Sequence, residues 1–107
     1  MNNERRVSRS ADPCAAVSLY FDSLCAKAGL QAVALATEDG SLVAGAGKGD
    51  LEYMGAVGAA SRLSSLEHDG HALHVRRLEV NSVPMCLTMA GKDAAEAVGT
   101  VRRILSV

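Results

Sequence analysis

Apolar residues near the start of the chain recur at three- and four-residue spacing, which is the period of an α-helix with one buried face. This face consists of Val17, Tyr20, Phe21, Leu24, Cys25 and Ala28. Asp12-Pro13 favours a helix start, because aspartate accepts hydrogen bonds from the first backbone amides and proline has no N–H to leave unsatisfied. The pattern therefore predicts a helix from Pro13 to about Ala28, which Gly29 ends in the left-handed conformation.

The next stretch predicts a β-hairpin. Apolar runs over residues 32–36 and 42–46 flank Asp39-Gly40, a dipeptide that favours a type I′ turn because both residues tolerate positive φ. Neither run alternates with polar residues, which is typical of strands that are covered on both faces. We therefore expect helices on each side of the sheet. A glycine-rich link over residues 45–49 follows the hairpin.

The segment after this link predicts a helix with an unusual composition. Asp50 can cap it, and the helical pattern continues from Leu51 to about Leu66. Gly55 and Gly58 each cost about 1 kcal/mol relative to alanine inside a helix, so their small size must serve a purpose. Either the helix packs closely on the domain's own sheet, or it contacts a second copy across a dimer. The predicted dimer or partner interface comprises Met54, Gly55, Ala56, Gly58, Ala59, Ser61, Arg62, Arg76 and Arg77.

Two more strands are predicted in the second half of the chain. They are His71–Val80 and Val83–Ala90, joined by a two-residue turn at Asn81-Ser82. The apolar residues of the first strand change parity midway, which predicts a bulge near Arg76-Arg77.

A final helix closes the pattern. Asp93 and Glu96 have the spacing of a capping arrangement, and the residues predicted for its buried face are Ala97, Val98, Val101, Ile104 and Leu105. The predicted order is α-β-β-α-β-β-α. We therefore expect an α/β (α+β) fold, a three-layer α/β/α sandwich around a mainly antiparallel sheet.

Length and charge narrow the classes of function. The chain has 107 residues, and its 11 basic and 12 acidic residues give a net charge of −1. We expect one domain over residues 12–107, preceded by a mobile polar tail over residues 1–11. So small a net charge provides no field for a phosphate backbone, and no apolar run approaches the length of a membrane span. Neither nucleic-acid binding nor membrane insertion is expected.

Three cysteines, Cys14, Cys25 and Cys86, form an odd number without C-x-x-C spacing. This usage favours free thiols in a reducing compartment over a disulfide framework, and it predicts a cytoplasmic protein.

No motif in the chain predicts catalysis or a cofactor. The glycine-rich link lacks the Ser or Thr that follows Gly-Lys in a phosphate-binding loop, and Asp50 would repel an anion at the helix start. The candidate metal ligands straddle a turn without the spacing of a metal site. They are His68, Asp69, His71, His74 and Cys86. No serine has an identifiable base and acid, so we expect a protein without catalytic residues, metal or cofactor.

The element order, the hairpin Ala-Val-Ala-Leu-Ala-Thr-Glu-Asp-Gly-Ser-Leu-Val-Ala and the small-residue helix after Asp50 together resemble the roadblock/dynein light-chain family. The resemblance covers about residues 13–107. It implies a sheet with one helix on one face and the two terminal helices on the other. It also implies homodimerisation through the central helix and the third strand, and a role as a non-catalytic adaptor or regulator of small Ras-like GTPases. In one respect the chain departs from this family, which usually has three strands between its central and last helices, where the pattern here predicts two.

The sequence leaves a second function open. Related profilin-like and GAF-type folds act as small-molecule sensors and enclose a pocket between sheet and helix. An adaptor should instead present exposed surface without a ligand-sized cavity. The small side chains of both layers favour the adaptor, because they predict close packing without a cavity.

Overall fold

The structure, a computed structural model, describes residues 13–61, 63–68 and 70–106. The predicted tail over residues 1–11, the Asp12 cap and the interface residue Arg62 lie outside the described residues. The helices are α1 (Pro13–Ala28), α2 (Leu51–Ala60) and α3 (Glu96–Leu105). The strands are β1 (Ala32–Thr37), β2 (Leu42–Gly47), β3 (Ser65–His68), β4 (His71–Val80) and β5 (Val83–Ala90).

The five strands form one antiparallel sheet in the order β2-β1-β5-β4-β3. α1 and α3 pack together on one face, and α2 packs on the other face against β1, β5 and β2. Residues 32–36 of β1 are all buried, as expected for a strand that helices cover from both sides. The predicted three-layer α/β/α sandwich is confirmed. In the described residues, no helix combines the length and apolar character needed to cross a bilayer.

The helix α1 follows the sequence prediction, whereas the first hairpin differs in its turn. α1 spans Pro13–Ala28, and Gly29 follows with φ of +74°. In the hairpin, the backbone N–H of Gly40 donates to the carbonyl of Thr37, and only Gly40 of the predicted pair has a positive φ. A type I′ turn needs positive φ at both central residues, so the predicted turn type is wrong although the hairpin is present. β2 also extends to Gly47, which places part of the predicted glycine-rich link in the sheet.

The helix α2 begins as predicted and ends six residues early. The Asp50 side chain accepts a hydrogen bond of 3.1 Å from the backbone N–H of Tyr53, which caps the helix start. The helix ends at Ala60 rather than near Leu66. The last two residues assigned to it, Ser65 and Leu66, instead begin β3, a four-residue strand that pairs with the start of β4. The structure thus has three strands between the second and third helices.

The strand β4 has no bulge at Arg76-Arg77. Its register with β5 runs without a shift from Leu73 to Val80, so that prediction is wrong. The change in apolar parity has another cause: Leu73 is buried on the α2 side, and Leu78 and Val80 belong to the core under α1 and α3. Different layers cover the two ends of one regular strand.

The predicted cap of the last helix does not form. α3 begins at Glu96 without a side-chain cap, and the Asp93 carboxylate instead binds Arg76 of β4. The predicted buried face is confirmed, since Ala97, Val101 and Leu105 are buried and Val98 and Ile104 are partly buried against the same core.

Two glycines bring α2 close to the sheet. A methyl group added at Gly55 would lie 3.1 Å from the Cβ of Ala36 in β1. One added at Gly58 would collide with the Oγ1 of Thr88 in β5 and lie 3.0 Å from its Cβ. Of the two explanations for the helical glycines, packing on the domain's own sheet accounts for both.

Gly58→Ala should lower the free energy of unfolding by up to about 2 kcal/mol. Overlap of the added methyl with the buried Thr88 side chain costs about 1–3 kcal/mol. The gain in helix propensity offsets about 1 kcal/mol of this cost. Gly99→Ala is the matched control, since Gly99 lies in α3 with open space around its added methyl. It should raise the free energy of unfolding by up to about 1 kcal/mol. Urea denaturation followed by circular dichroism measures both changes.

The second variant Thr88→Ala separates packing from other effects. Combined with Gly58→Ala, it should recover much of the lost stability, because it removes the atoms that the new methyl meets. Equal stabilisation by Gly58→Ala and Gly99→Ala would contradict the close contact between α2 and β5.

The turn between β4 and β5 yields a separate prediction. Asn81 and Ser82 have φ of +50° and +70°, so the predicted two-residue turn is confirmed and both residues are left-handed. Ser82→Gly should raise the free energy of unfolding by about 0.5–1 kcal/mol, because relief of the left-handed serine outweighs the extra chain entropy of glycine. Ser41→Gly in the other hairpin, where φ is not positive, should lower it. Thermal denaturation checks the pair, and a destabilised Ser82→Gly variant would contradict the turn geometry.

Candidate functional site

The structure disperses the residues of the predicted interface. Gly55 and Gly58 are buried on the side of α2 that faces the sheet, so they contribute no exposed surface. Ala56, Ala59 and Ser61 are partly buried, and Met54 packs against a small core that contains Ala32, Leu73 and Ala90. The reason for placing Gly55 and Gly58 in a dimer contact is therefore lost, and the dimer itself stays a prediction.

The two neighbouring arginines of β4 have different roles. Arg77 lies on the α2 side, where its guanidinium donates to the carbonyl oxygens of Ser61 and, at 3.5 Å, of Gly58, and to the Sγ of Cys86. A cation at this position satisfies carbonyls that a helix leaves unpaired at its C-terminal end. Arg77 therefore joins the end of α2 to the sheet. Arg76 has the opposite parity and binds Asp93 with its Nε at 3.0 Å.

Hydrogen bonding from Arg76 lowers the pKa of the Asp93 carboxyl below its ordinary value of 3.8. A lowered carboxyl pKa contributes stability that is present above the unfolded value and is lost as the pH falls through the folded value. The pair therefore stabilises the approach to α3 at neutral pH. Both side chains are substantially exposed, so solvent screens this contribution.

Burial raises the pKa of the Cys86 thiol, although the positive charge of Arg77 opposes this change and Glu38 adds to it. The thiol is therefore held in its protonated form, with its sulfur accepting a hydrogen bond from Arg77. A protonated, buried thiol is a poor nucleophile. The arrangement favours a packing role for Cys86.

The outer side of α2, the segment that follows it and the edge strand β3 all carry exposed groups. Tyr53 at the helix start is 52% exposed, and Leu63, between the helix and β3, is 62% exposed. Ala60 is exposed on the last helical turn. β3 is the outermost strand of the sheet, so its outer backbone groups have no strand partner among the described residues. We call this region, from Tyr53 to β3, the α2–β3 surface.

A half-open groove of about 670 Å³ lies beside the first turn of α2. It exists because α2 covers β1, β5 and β2 but leaves the start of β4 exposed on the same face. The lining residues are Leu30, Gln31, Ala32, Lys48, Gly49, Asp50, Tyr53, Met54, His71, Leu73 and Ala90. Small-molecule sites have volumes of about 300–1,000 Å³, so the groove is large enough for a ligand. The expectation that small side chains leave no such cavity is wrong at this position.

The floor of the groove is apolar and its rim is polar. Ala32, Leu73 and Ala90 form the floor and are buried to 5% exposure or less. Lys48 and His71 stand at the rim, both exposed. The sequence presents His71 as a candidate metal ligand and places Lys48 in the glycine-rich link. These residues are far apart along the chain, so no local sequence pattern predicts the groove. The groove results from the position of α2 over the sheet.

The sequence offers candidate metal ligands but predicts no metal site, and the candidates that the structure describes do not come together. Among the described residues, no group of three His, Cys, Asp or Glu side chains lies close enough to hold an ion. Cys14, Cys25 and Cys86 are all thiols in the structure. The described features that could serve recognition are the α2–β3 surface and the groove.

Comparison with known proteins finds no match: no protein-family model, no curated protein and no solved structure matches the chain.

Proposed function

We propose that this protein is a non-enzymatic, homodimeric adaptor of the cytoplasm that binds and regulates a small Ras-like GTPase. The observation that carries the proposal is the α2–β3 surface, which combines exposed apolar side chains with an unpaired strand edge. An exposed sheet edge is a template for pairing with another chain unless charge or shape blocks it. This surface therefore supports a function in binding another protein chain.

Homodimerisation through this surface would pair the outer edge of β3 and bury exposed apolar side chains. A two-fold axis beside β3 would let the outer edges of two copies pair as antiparallel strands over residues 65–68. Exposed Ala60 on the last turn of α2 would permit close approach of a second copy at that end of the helix. Exposed Tyr53 and Leu63 would lose contact with water in such a dimer.

The GTPase partner is proposed from the resemblance to roadblock/dynein light-chain proteins. The arrangement of helices on the sheet agrees with the one that this resemblance implies. β3 also supplies a third strand between the second and third helices, where the sequence pattern alone departed from that family. One fold serves many functions, so the agreement supports this partner by analogy.

A small-molecule sensor is the second candidate function, and the groove is the observation that favours it. Its volume of about 670 Å³, its apolar floor and its polar rim are features of ligand sites. The groove lies at the first turn of α2, so a bound molecule would contact the same helix that carries the α2–β3 surface.

Ala60→Arg should convert the dimer to monomer, because it places a long charged side chain on the exposed last turn of α2. Sedimentation velocity measures the change, and circular dichroism should show an unchanged fold because the position is exposed. Ala16→Arg is the matched control at an exposed alanine of α1 and should leave the dimer intact. A native chain that is monomeric at every concentration would refute the dimer, and dissociation by Ala16→Arg alone would move the interface to α1.

Isothermal titration should detect saturable binding to one small GTPase of the same genome, with affinity that depends on whether GDP or a GTP analogue is loaded. A composite binding face across the two-fold axis predicts that Ala60→Arg weakens this binding by tenfold or more while Ala16→Arg does not. The protein alone should not hydrolyse GTP. Absence of binding to every GTPase tested would refute the regulator function.

A further inference from the structure

We propose that α2 moves away from the sheet as a unit while the rest of the molecule stays folded, which gives the protein a second, open conformation. In that conformation, the side of β1 and β5 that α2 covers meets water. The motion is a property of the fold, so it depends neither on a GTPase nor on a ligand in the groove.

The apolar layer between α2 and the sheet is thin. Within the helix, Gly55 and Gly58 are buried and have no side chains, whereas its larger apolar side chains are at most partly buried. The side chains that β1 and β5 place beneath the helix are small, namely those of Ala32, Ala34, Ala36, Cys86, Thr88 and Ala90. By contrast, α1 buries Val17, Phe21 and Leu24 on the opposite face. Because apolar burial stabilises in proportion to its area, it holds α2 less firmly than it holds α1.

A buried hydroxyl of β5 makes the closed contact costly. The Thr88 side chain is 0% exposed, and its Oγ1 has no hydrogen-bond partner among the described residues. This oxygen points at the helix, because a methyl group added at Gly58 would overlap it. A buried hydroxyl without a partner loses its hydrogen bonds to water and gains none in return. Movement of α2 away from Thr88 lets water bind the hydroxyl and removes this cost.

The chain on both sides of α2 is able to follow such a motion. Lys48, Gly49 and Asp50 before the helix are exposed, and a Cβ added at Gly49 would meet no atom within 4 Å. Leu63 and Ser64 after the helix are exposed as well. Exposed segments can change φ and ψ without disturbing a packed core, as the hinges of moving elements do.

Arg77 of β4 opposes the motion. Its guanidinium donates to the carbonyl oxygens of Gly58 and Ser61, so it links the end of α2 to the sheet. The same guanidinium donates to the sulfur of Cys86, which is 1% exposed. The balance between this link and the unpaired Thr88 hydroxyl sets the fraction of molecules in which α2 is open.

Native-state hydrogen exchange of the full chain, measured by NMR at low urea concentrations, detects the open conformation. Amides of residues 55–60 should share one opening free energy that is smaller than the free energy of global unfolding. Its dependence on urea should be weak, because the urea slope scales with the surface that is exposed. Amides of β1 and β5 should exchange through global unfolding, with the full urea slope.

Two results of this measurement would overturn the proposal. In one, the amides of α2 exchange only with global unfolding, so the helix never opens separately. In the other, their opening free energies differ from residue to residue and have no urea dependence, which is the behaviour of fraying rather than of a unit.

Two substitutions at Thr88 isolate the buried hydroxyl. Thr88→Ala and Thr88→Ser both remove the γ-methyl group, and only Thr88→Ala also removes the hydroxyl. The opening equilibrium constant of α2 should be at least about fivefold smaller in Thr88→Ala than in Thr88→Ser, because the serine variant still buries an unpaired hydroxyl. Equal constants in the two variants would contradict the role of the hydroxyl in opening.

Substitutions at the neighbouring arginines test the link to the sheet. Arg77→Gln should raise the opening equilibrium constant of α2 about fivefold, because it removes the charged donor to the end of the helix. Arg76→Gln is the matched control, since Arg76 has the opposite parity on the same strand and binds Asp93. It should change the constant by less than about twofold. Both arginines are exposed, so both variants should fold, and equal effects would contradict the link.

Thiol labelling tests whether the sheet beneath α2 becomes exposed. In a chain with Cys14→Ser and Cys25→Ala, Cys86 is the remaining thiol. Where opening and closing are faster than labelling, its reaction with an aromatic disulfide such as DTNB should give the same opening free energy as the amides of α2. A Cys86 thiol that reacts only through global unfolding would mean that the sheet stays covered, and it would overturn the open conformation.

Discussion

The contact between α2 and the sheet determines the arrangement of everything on that face of the molecule. Gly55 rests against Ala36 and Gly58 rests against Thr88, so the helix approaches the strands more closely than any larger side chain would allow. Arg77 then secures the far end of the helix through the carbonyl oxygens of Gly58 and Ser61. Because the contact sits over β1 and β5, it sets the lateral position of a helix only ten residues long.

The position of this short helix separates two surface features on one face. Its first turn borders the groove, whereas its last turn continues into the α2–β3 surface. The apolar floor of the groove comes from β1, β4 and β5, and the exposed side chains of the other feature come from the helix and the segment before β3. A ligand in the groove and a partner on the surface would therefore contact different residues of the same rigid element, apart from Tyr53, which belongs to both.

The sequence predicts the elements that bury apolar residues along their whole length, and it fails where tertiary contacts decide. α1 and β1 have uninterrupted patterns and were correct. β3 was missed because it has a single apolar residue, Leu66, which fits the helical spacing of the preceding segment. One apolar residue cannot show the two-residue period of a strand. Asp93 left its local cap for an arginine seventeen residues away. The groove depends on the position of α2 over the sheet, and no local sequence pattern encodes that position.

The strand order also has a consequence for how the chain assembles. β1 with β2, and β3 with β4 and β5, are neighbours along the sequence and need only short turns to pair. The central pairing of β1 with β5 is different, because it joins residues about 50 positions apart, such as Thr37 and Met85. Closing so long a loop costs more entropy than a hairpin and slows folding. The half of the sheet with β1 and β2 thus meets the half with β3, β4 and β5 at the pairing of β1 with β5. α2 lies across this pairing, because it rests on Ala36 of β1 and Thr88 of β5.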